Sequence, residues 1–297
     1  TSPAKLFEGI EIGQGLLLTS ENAQFLLSAE AEVLTPETAK LTPQATYNYN
    51  TQLPFVSLGT TVAFLDNAGK NSKFFEATNI QRGYEPEILN QSIAVPDLMP
   101  KELDLITNSR ENTYVLFSME GTNNIYGYRY FNSGEKRIQS AWFKWELDKP
   151  IRYMAILDDL LFVVHTNDNL VDFQLVDKWD NWVDGFPVHL DNWTQFSASA
   201  FTYNADDNKT TFSLGRGFDD NRTVYVLDAT PGSDLGRYGV ATVNVQNATL
   251  IGDWATAGHN LYVGYNFDMK IQLPTIYPRS KGEGSSADIT ASLVVHR

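Results

Sequence analysis

One unit recurs along this chain: a short apolar strand, a polar turn and a second apolar strand. It occurs at Leu16/Phe25, Val62/Phe74, Val115/Tyr126, Phe162/Phe173 and Phe212/Tyr225, and Tyr262 is the candidate start of a sixth. The first-strand markers are 46, 53, 47, 50 and 50 residues apart. Four-stranded propeller blades repeat at roughly 40 to 50 residues, so the spacing predicts an all-β fold, a β-propeller of four-stranded blades. A large sandwich with accidentally regular hairpins is the alternative against which the period argues.

The local pattern agrees with strand. Apolar residues lie in short β-branched and aromatic runs bounded by Asn, Asp, Gly and Ser, without sustained 3.6-residue periodicity. Clear strands are expected at 16–19, 24–28, 61–65, 114–118, 125–131, 160–165, 171–176, 210–214, 223–227 and 261–265. Strand content of about 35 to 50% is expected, against an average of about 20 to 25%. The propeller portion is assigned to residues 1–250 and a further β-strand module, cut short, to residues 251–297. In that module residues 264–273 alternate as one long strand, a polar loop covers 278–286, and a strand at 289–295 runs into the terminus.

Composition excludes several functions. At 297 residues and 42% hydrophobic, the chain can bury a sizeable core. Its 22 Lys+Arg against 36 Asp+Glu give a net charge of −14, which repels DNA phosphates. With no Cys there is no disulfide, thiolate nucleophile or zinc knuckle. No apolar stretch approaches the roughly 18 to 20 residues of a membrane-spanning helix, so stable membrane insertion is not expected. The first residues lack a secretory signal pattern, and the start at Thr1 reads as a processed or partial chain.

Catalytic constellations are not found. His165, His189, His259 and His296 lie 24, 70 and 37 residues apart, with no short ligand pair. There is no Gly-x-Ser-x-Gly elbow, and the Gly-rich run 232–239 precedes a β-like segment, so it reads as a turn. The best enzymatic lead is the carboxylate pairs Asp158/Asp159, Asp206/Asp207 and Asp219/Asp220, since glycosidases use two carboxylates. All three sit in turns, where Asp is favoured for backbone reasons, and residues 203–212 are faintly similar to a sialidase Asp-box that lacks its glycine. No 12-residue calcium-loop spacing is present. Trp142, Trp145, Trp179, Trp182 and Trp193 could form stacking platforms, but Lys144 and Lys178 stand amid Glu146, Asp177, Asp180 and Asp184. Sequons at Asn192, Asn208, Asn221 and Asn247 read as chance. The expectation is therefore no catalytic residue, no cofactor and no metal site.

Four segments resemble one family, the nozzle protein (tail tubular protein B) of short-tailed bacteriophages. Ser133-Gly134-Glu135-Lys136-Arg137-Ile138-Gln139-Ser140-Ala141-Trp142-Phe143-Lys144-Trp145 is similar to a recurrent segment of that family. Gln24-Phe25-Leu26-Leu27-Ser28 with Leu34-Thr35-Pro36-Glu37-Thr38, then Val95-Pro96-Asp97-Leu98-Met99-Pro100, then the hairpin at 151–176, follow the same order and spacing. The resemblance implies a virion structural protein, not an enzyme: a subunit of a six-fold homo-oligomeric ring, joined to a tail adaptor protein and tail fibres. DNA would pass through its lumen without specific binding. It implies a location in the phage tail after synthesis in the host cytoplasm, and an internal portion of a longer protein. The alternatives are a propeller glycoside hydrolase and a tail module that binds a host glycan through exposed tryptophans.

In the segment of strongest resemblance, strand alternation puts Phe143, Trp145 and Leu147 on one face and Trp142, Lys144 and Glu146 on the other. The wholly apolar first set is expected in the interior, and Trp142 partly exposed.

Overall fold

The computed structural model describes residues 5–13, 15–29, 35–78, 86–133, 136–166, 170–174, 182–183, 186–187, 190–215, 222–232, 234–244, 246–268 and 270–271. About 59% of these lie in strands, above the expected share, and none in an α-helix. The chain forms two compact units, Thr1–Asp177 and Lys178–Arg297.

The first unit is a succession of antiparallel sheets, each built from consecutive strands. β1 (Leu6–Ile12), β2 (Gly15–Ser20), β3 (Gln24–Ala29) and β4 (Ala39–Ala45) form the first, in the order 1-2-3-4. The second is β5 (Val56–Ser57), β6 (Thr61–Asp66), β7 (Lys73–Thr78) and β8 (Glu87–Asn90). The third is β9 (Leu105–Ser109), β10 (Tyr114–Ser118), β11 (Asn124–Ser133) and β12 (Lys136–Glu146). β13 (Ile151–Leu157), β14 (Leu160–His165) and β15 (Leu170–Gln174) form a three-stranded fourth. Four-stranded sheets are thus present at the first three markers, Leu16, Val62 and Val115, whereas Phe162 lies in a three-stranded sheet.

Period-two alternation sorts each sheet's side chains into two cores. Val62 and Phe64 of β6 pack with Ile12, Leu17 and Phe75 between the first and second sheets. The intervening Ala63 and Leu65 pack with Phe74, Val115, Phe117 and Tyr128 between the second and third. Tyr114 and Leu116 of β10, on its other face, pack with Ile125, Met154, Leu161 and Val163 between the third and fourth. Each core residue removed from water contributes roughly 1.5 to 3 kcal/mol, so these faces hold the sheets together. Gly127 serves one of them: it pairs directly with Phe143, and an added Cβ would fall 2.0 Å from that ring.

In the second unit β16 (Trp182–Val183) pairs with β17 (Phe186–Pro187). The remaining strands are β18 (Asp191–Ser197), β19 (Phe201–Asn204), β20 (Lys209–Ser213), β21 (Val224–Asp228), β22 (Tyr238–Asn244), β23 (Asn247–Ile251) and β24 (Asn260–Tyr265). They make one antiparallel sheet in the order 18-24-21-22-23-20-19. Its two outermost strands, β18 and β19, are joined by a single 3-10 turn at Ala198–Ala200. The sheet therefore curls on itself, closing Phe196 against Phe201 and Phe212 around a core that includes Trp254.

This sheet corrects two expectations. The sixth marker strand is not part of a separate blade, because β24 lies hydrogen-bonded between β18 and β21 in the same sheet as the fifth marker, Phe212 of β20. Nor does it run on to Leu273: Asp191 and Val224, at the ends of its two partners, both pair with Tyr265, and no strand continues over 266–268 or 270–271. The expected strand at 289–295 lies outside the described residues.

The alternation in β12 is as expected, and Trp142 is half-buried, as is Trp145. Phe143, Trp145 and Leu147 pack towards the fourth sheet. Trp142 packs towards the second, with its ring against Phe74, Phe117 and Tyr128 and its Nε1–H donated to the Gln91 carbonyl at 3.1 Å. Both faces of the third sheet are covered, and both tryptophans are half-buried against its neighbours. Trp142→Ala is expected to cost at least as much as Trp145→Ala, about 3 to 5 kcal/mol each, read from denaturant midpoints of the two variants; a negligible loss at Trp142 would contradict this packing.

Candidate functional site

The most unusual chemistry of the first unit lies between its second and third sheets. Glu76 stands in β7 between Phe75 and Ala77, so alternation points it into the inter-sheet core, where it is fully buried. Arg137 of β12 reaches it from the third sheet, Nη2 to Oε1 at 2.6 Å, and the Thr61 hydroxyl donates to the same oxygen at 2.5 Å. A register shift at Phe131/Asn132 in the β11–β12 pair sits beside Arg137, whose Nε donates to Asn132 Oδ1 at 2.6 Å. Nη1 donates to the Tyr128 hydroxyl at 2.5 Å, and the guanidinium lies 4.7 Å from the Tyr130 ring centre.

Burial sets the phenol chemistry here. It pushes Tyr130 up to about 12 from 10.0, with the Arg137 charge opposing and Glu76 assisting. Burial likewise raises Tyr128, against the pull of Arg137. Tyr49, between the first two sheets, is raised by burial first and then by its hydrogen bond to Glu8. Phenols held neutral and a buried carboxylate paired through Oε1, with Oε2 lacking a hydrogen-bond partner among the described residues, make a structural polar core, not an acid and base presented to a substrate.

Within the second unit, Asp228, Asp234 and His259 bring one ligand atom each to within 4.8 Å of one another. His259 Nδ1 lies 2.5 Å from Oδ2 of the buried Asp228, whose Oδ1 accepts the Thr230 amide at 2.9 Å. The pair ties β21 to the approach of β24, since the Asn260 carbonyl accepts the Ala229 amide. Sequence reasoning left His259 isolated, because its partner is 31 residues away. This is a three-ligand set in which the buried carboxylate is already bonded.

The other sequence candidates take structural places. Asp158 adopts φ 53° in the β13–β14 turn, and Asp159 Oδ1 accepts from Asn112 at 3.1 Å. Asp206 and Asp207 are exposed in the β19–β20 turn, where the Asp206 amide donates to Asn204 Oδ1 and Asn208 takes φ 51°. These are turn chemistries. His165 is buried with Nδ1 3.1 Å from the Pro150 carbonyl oxygen. The Gly-rich run turns at 234–236, as expected, with Gly236 at φ 82° and its amide donating to the Asp228 carbonyl, and its last two residues open β22. Trp193 is 47% exposed and packs edge-on to Tyr262. Asp219, Asp220, Asn221, Trp179, Asp177, Lys178, Asp180, Asp184, His189 and His296 lie outside the described residues, as does the side chain of Trp182.

Two features escaped the sequence reading. One is Glu76, although a lone carboxylate inside the apolar run Phe74 to Ala77 was a signal that a buried cation must meet it. The other is Trp254, 4% exposed, with its ring under the Arg237 guanidinium at 4.0 Å.

These features define an all-β protein whose buried polar groups join sheets to one another. The chain belongs to the bacteriophage nozzle protein family, which it matches over residues 1–297. That family is a structural component of the phage tail and not an enzyme family. No curated protein matches the chain. Among solved structures it is similar to PorZ, an essential surface component of the type-IX secretion system of Porphyromonas gingivalis, at 14% identity and a TM-score of 0.35. The likeness covers 82% of this chain and 27% of that one, so the chain spans about a quarter of that protein's length.

Two outcomes test the inter-sheet cluster. Arg137→Ala strands a buried carboxylate and is expected to cost about 3 to 5 kcal/mol, whereas Glu76→Gln combined with Arg137→Met is expected to cost less than that single change; chemical denaturation of the three proteins checks the order. The raised phenols carry a pH signature. The folded state holds their protons more tightly than the unfolded chain, so their stabilisation is complete below pH 10 and is lost as pH rises through about 12. Denaturant midpoints should be flat up to pH 10 and fall above it, and Tyr130→Phe should shallow that fall.

Proposed function

We propose that this protein is a subunit of a six-fold ring in the tail nozzle of a short-tailed phage, made in the host cytoplasm and assembled between a tail adaptor and tail fibres. Its first unit serves as a propeller-type stack, and DNA passes through the ring without specific binding. The family match over the whole chain is the observation that carries this reading.

The charge supports it. At −14 the protein repels phosphate, and each Lys or Arg contact would slow a DNA strand in transit. Several arginines that could make such contacts lie over aromatic rings: Arg129 over Tyr114, Arg222 over Tyr265 and Arg237 over Trp254, at 4.9, 3.9 and 4.0 Å.

The test is complementation of a phage lacking the gene. Wild-type chain in its full-length context should restore infectious particles that contain the protein by mass spectrometry, and Asp206→Asn with Asp207→Asn should restore them equally. Purified infectious virions without the protein would overturn the reading. So would release of reducing sugar from host polysaccharide that the double substitution abolishes, which would favour the glycoside hydrolase.

A further inference from the structure

One end of the curled sheet gathers polar groups that its apolar core does not explain. Asp228 is the last residue of β21, and alternation along Val224, Val226 and Asp228 turns its side chain to the buried side, where only 2% of it is exposed. His259 immediately precedes β24 and places Nδ1 2.5 Å from Asp228 Oδ2. Asp234, in the turn between β21 and β22, brings a carboxylate oxygen within 4.8 Å of a ligand atom of each. The Ala198 amide donates to the His259 carbonyl at 3.0 Å, which ties the same point to the corner between β18 and β19. The three side chains come from separate loops, so their spacing in sequence contains no short ligand pair.

Acidic character alone would not mark a site; the charge balance and the donor set do. Two carboxylates share one imidazole, which offers at most one positive charge. Arg237, the nearest cation in sequence, is committed elsewhere: its guanidinium lies 4.0 Å over the Trp254 ring and its Nη1 donates to the Asp253 carbonyl at 2.8 Å. The half-buried Asp234 carboxylate has no hydrogen-bond partner among the described residues. Carboxylates withdrawn from water without matching charge are costly, so the excess negative charge here calls for a cation. Calcium and magnesium take oxygen ligands, whereas an imidazole beside carboxylates suits zinc and its neighbours among the transition metals. Asp228 is already oriented for such a role, because its Oδ1 accepts the Thr230 amide at 2.9 Å and leaves Oδ2 facing the imidazole.

We propose that Asp228, Asp234 and His259 form a binding site for one transition-metal dication of the zinc class, which clips together the loops at this end of the curled sheet. The ion takes the place of the proton between Nδ1 and Oδ2, the imidazole keeping its other N–H. Ligand atoms about 2.0 to 2.2 Å from zinc lie about 3 to 3.6 Å from one another. Nδ1 and Oδ2 therefore part by about 0.5 to 1 Å, and Asp234, on its turn, closes in by about 1 Å. Water completes the coordination. The site lies within the second unit and is independent of how the tail assembles.

The test is calorimetric titration of the untagged 297-residue chain, cleared of metal by a chelator, with zinc chloride. The parent should bind one zinc ion per chain, and its melting temperature should rise with zinc, because the ion binds the folded arrangement of ligands. Asp234→Asn should weaken zinc binding at least about tenfold and leave the metal-free melt unchanged, since that carboxylate makes no bond to the protein. His259→Gln should remove binding, and calcium at the same concentration should not raise the melt. A parent that binds no zinc at about 100-fold molar excess overturns the proposal. So does zinc binding that both variants retain in full, which would put the ion elsewhere on the chain, and so does equal stabilisation by calcium. If His259→Gln fails to fold, Asp234→Asn alone decides.

Discussion

A strand buried at every position forces its sheet to have neighbours on both sides, and β6 and β10 are such strands. Side chains alternate between faces, so Val62-Ala63-Phe64-Leu65 must supply two separate cores from four consecutive residues. The architecture of the first unit follows from this constraint. Sheets stack face to face because no sheet can satisfy its own residues, and the apolar core is divided into layers. A one-residue slip in β6 or β10 would exchange the residues offered to the two layers, so packing on both sides fixes the register.

Within this apolar stack the Glu76–Arg137 contact selects one arrangement. Apolar faces are tolerant of sliding, because Leu against Phe is nearly as good one residue along. A buried carboxylate is not tolerant: it must meet a cation and a hydroxyl at hydrogen-bond distance. Arg137 supplies this across the second joint while holding Asn132 and Tyr128 in its own sheet. Trp142, on the same strand, adds its bond to the Gln91 carbonyl across that joint. The segment by which the sequence resembles its family is therefore the segment that fastens the third sheet to the second.

The ten clear strands expected from the sequence are present where described, and they are mostly the central strands of sheets, whose apolar runs are unmistakable, whereas the long strand expected over 264–273 is not formed beyond Tyr265. Those not anticipated, such as β4 with Lys40, Pro43 and Gln44, or β9 with Thr107 and Asn108, are largely edge strands. Edges carry polar residues and proline because one side of the backbone faces outward, and that composition reads as loop. The long range of the second unit's pairing was equally hidden. β18 pairs with β24 across more than sixty residues, and a fixed period gives no hint that a curled sheet has replaced a blade there. The acidic pairs were read correctly as turn residues because their local grammar, Asn204 with Asp206 for example, is carried by neighbours in sequence.

The absence of a recognisable catalytic motif and the disposition of charge have a common physical reading. Four described arginines lie against aromatic rings, and one of these also neutralises Glu76 inside the stack. With 36 Asp+Glu against 22 Lys+Arg, the acidic side chains dominate the field outside the protein. A structural tail protein needs strong attachment at its packed faces and weak attachment everywhere else. This sequence separates the two by chemistry: apolar faces and the Glu76–Arg137 pair where sheets meet, and turns rich in Asp and Asn where they do not.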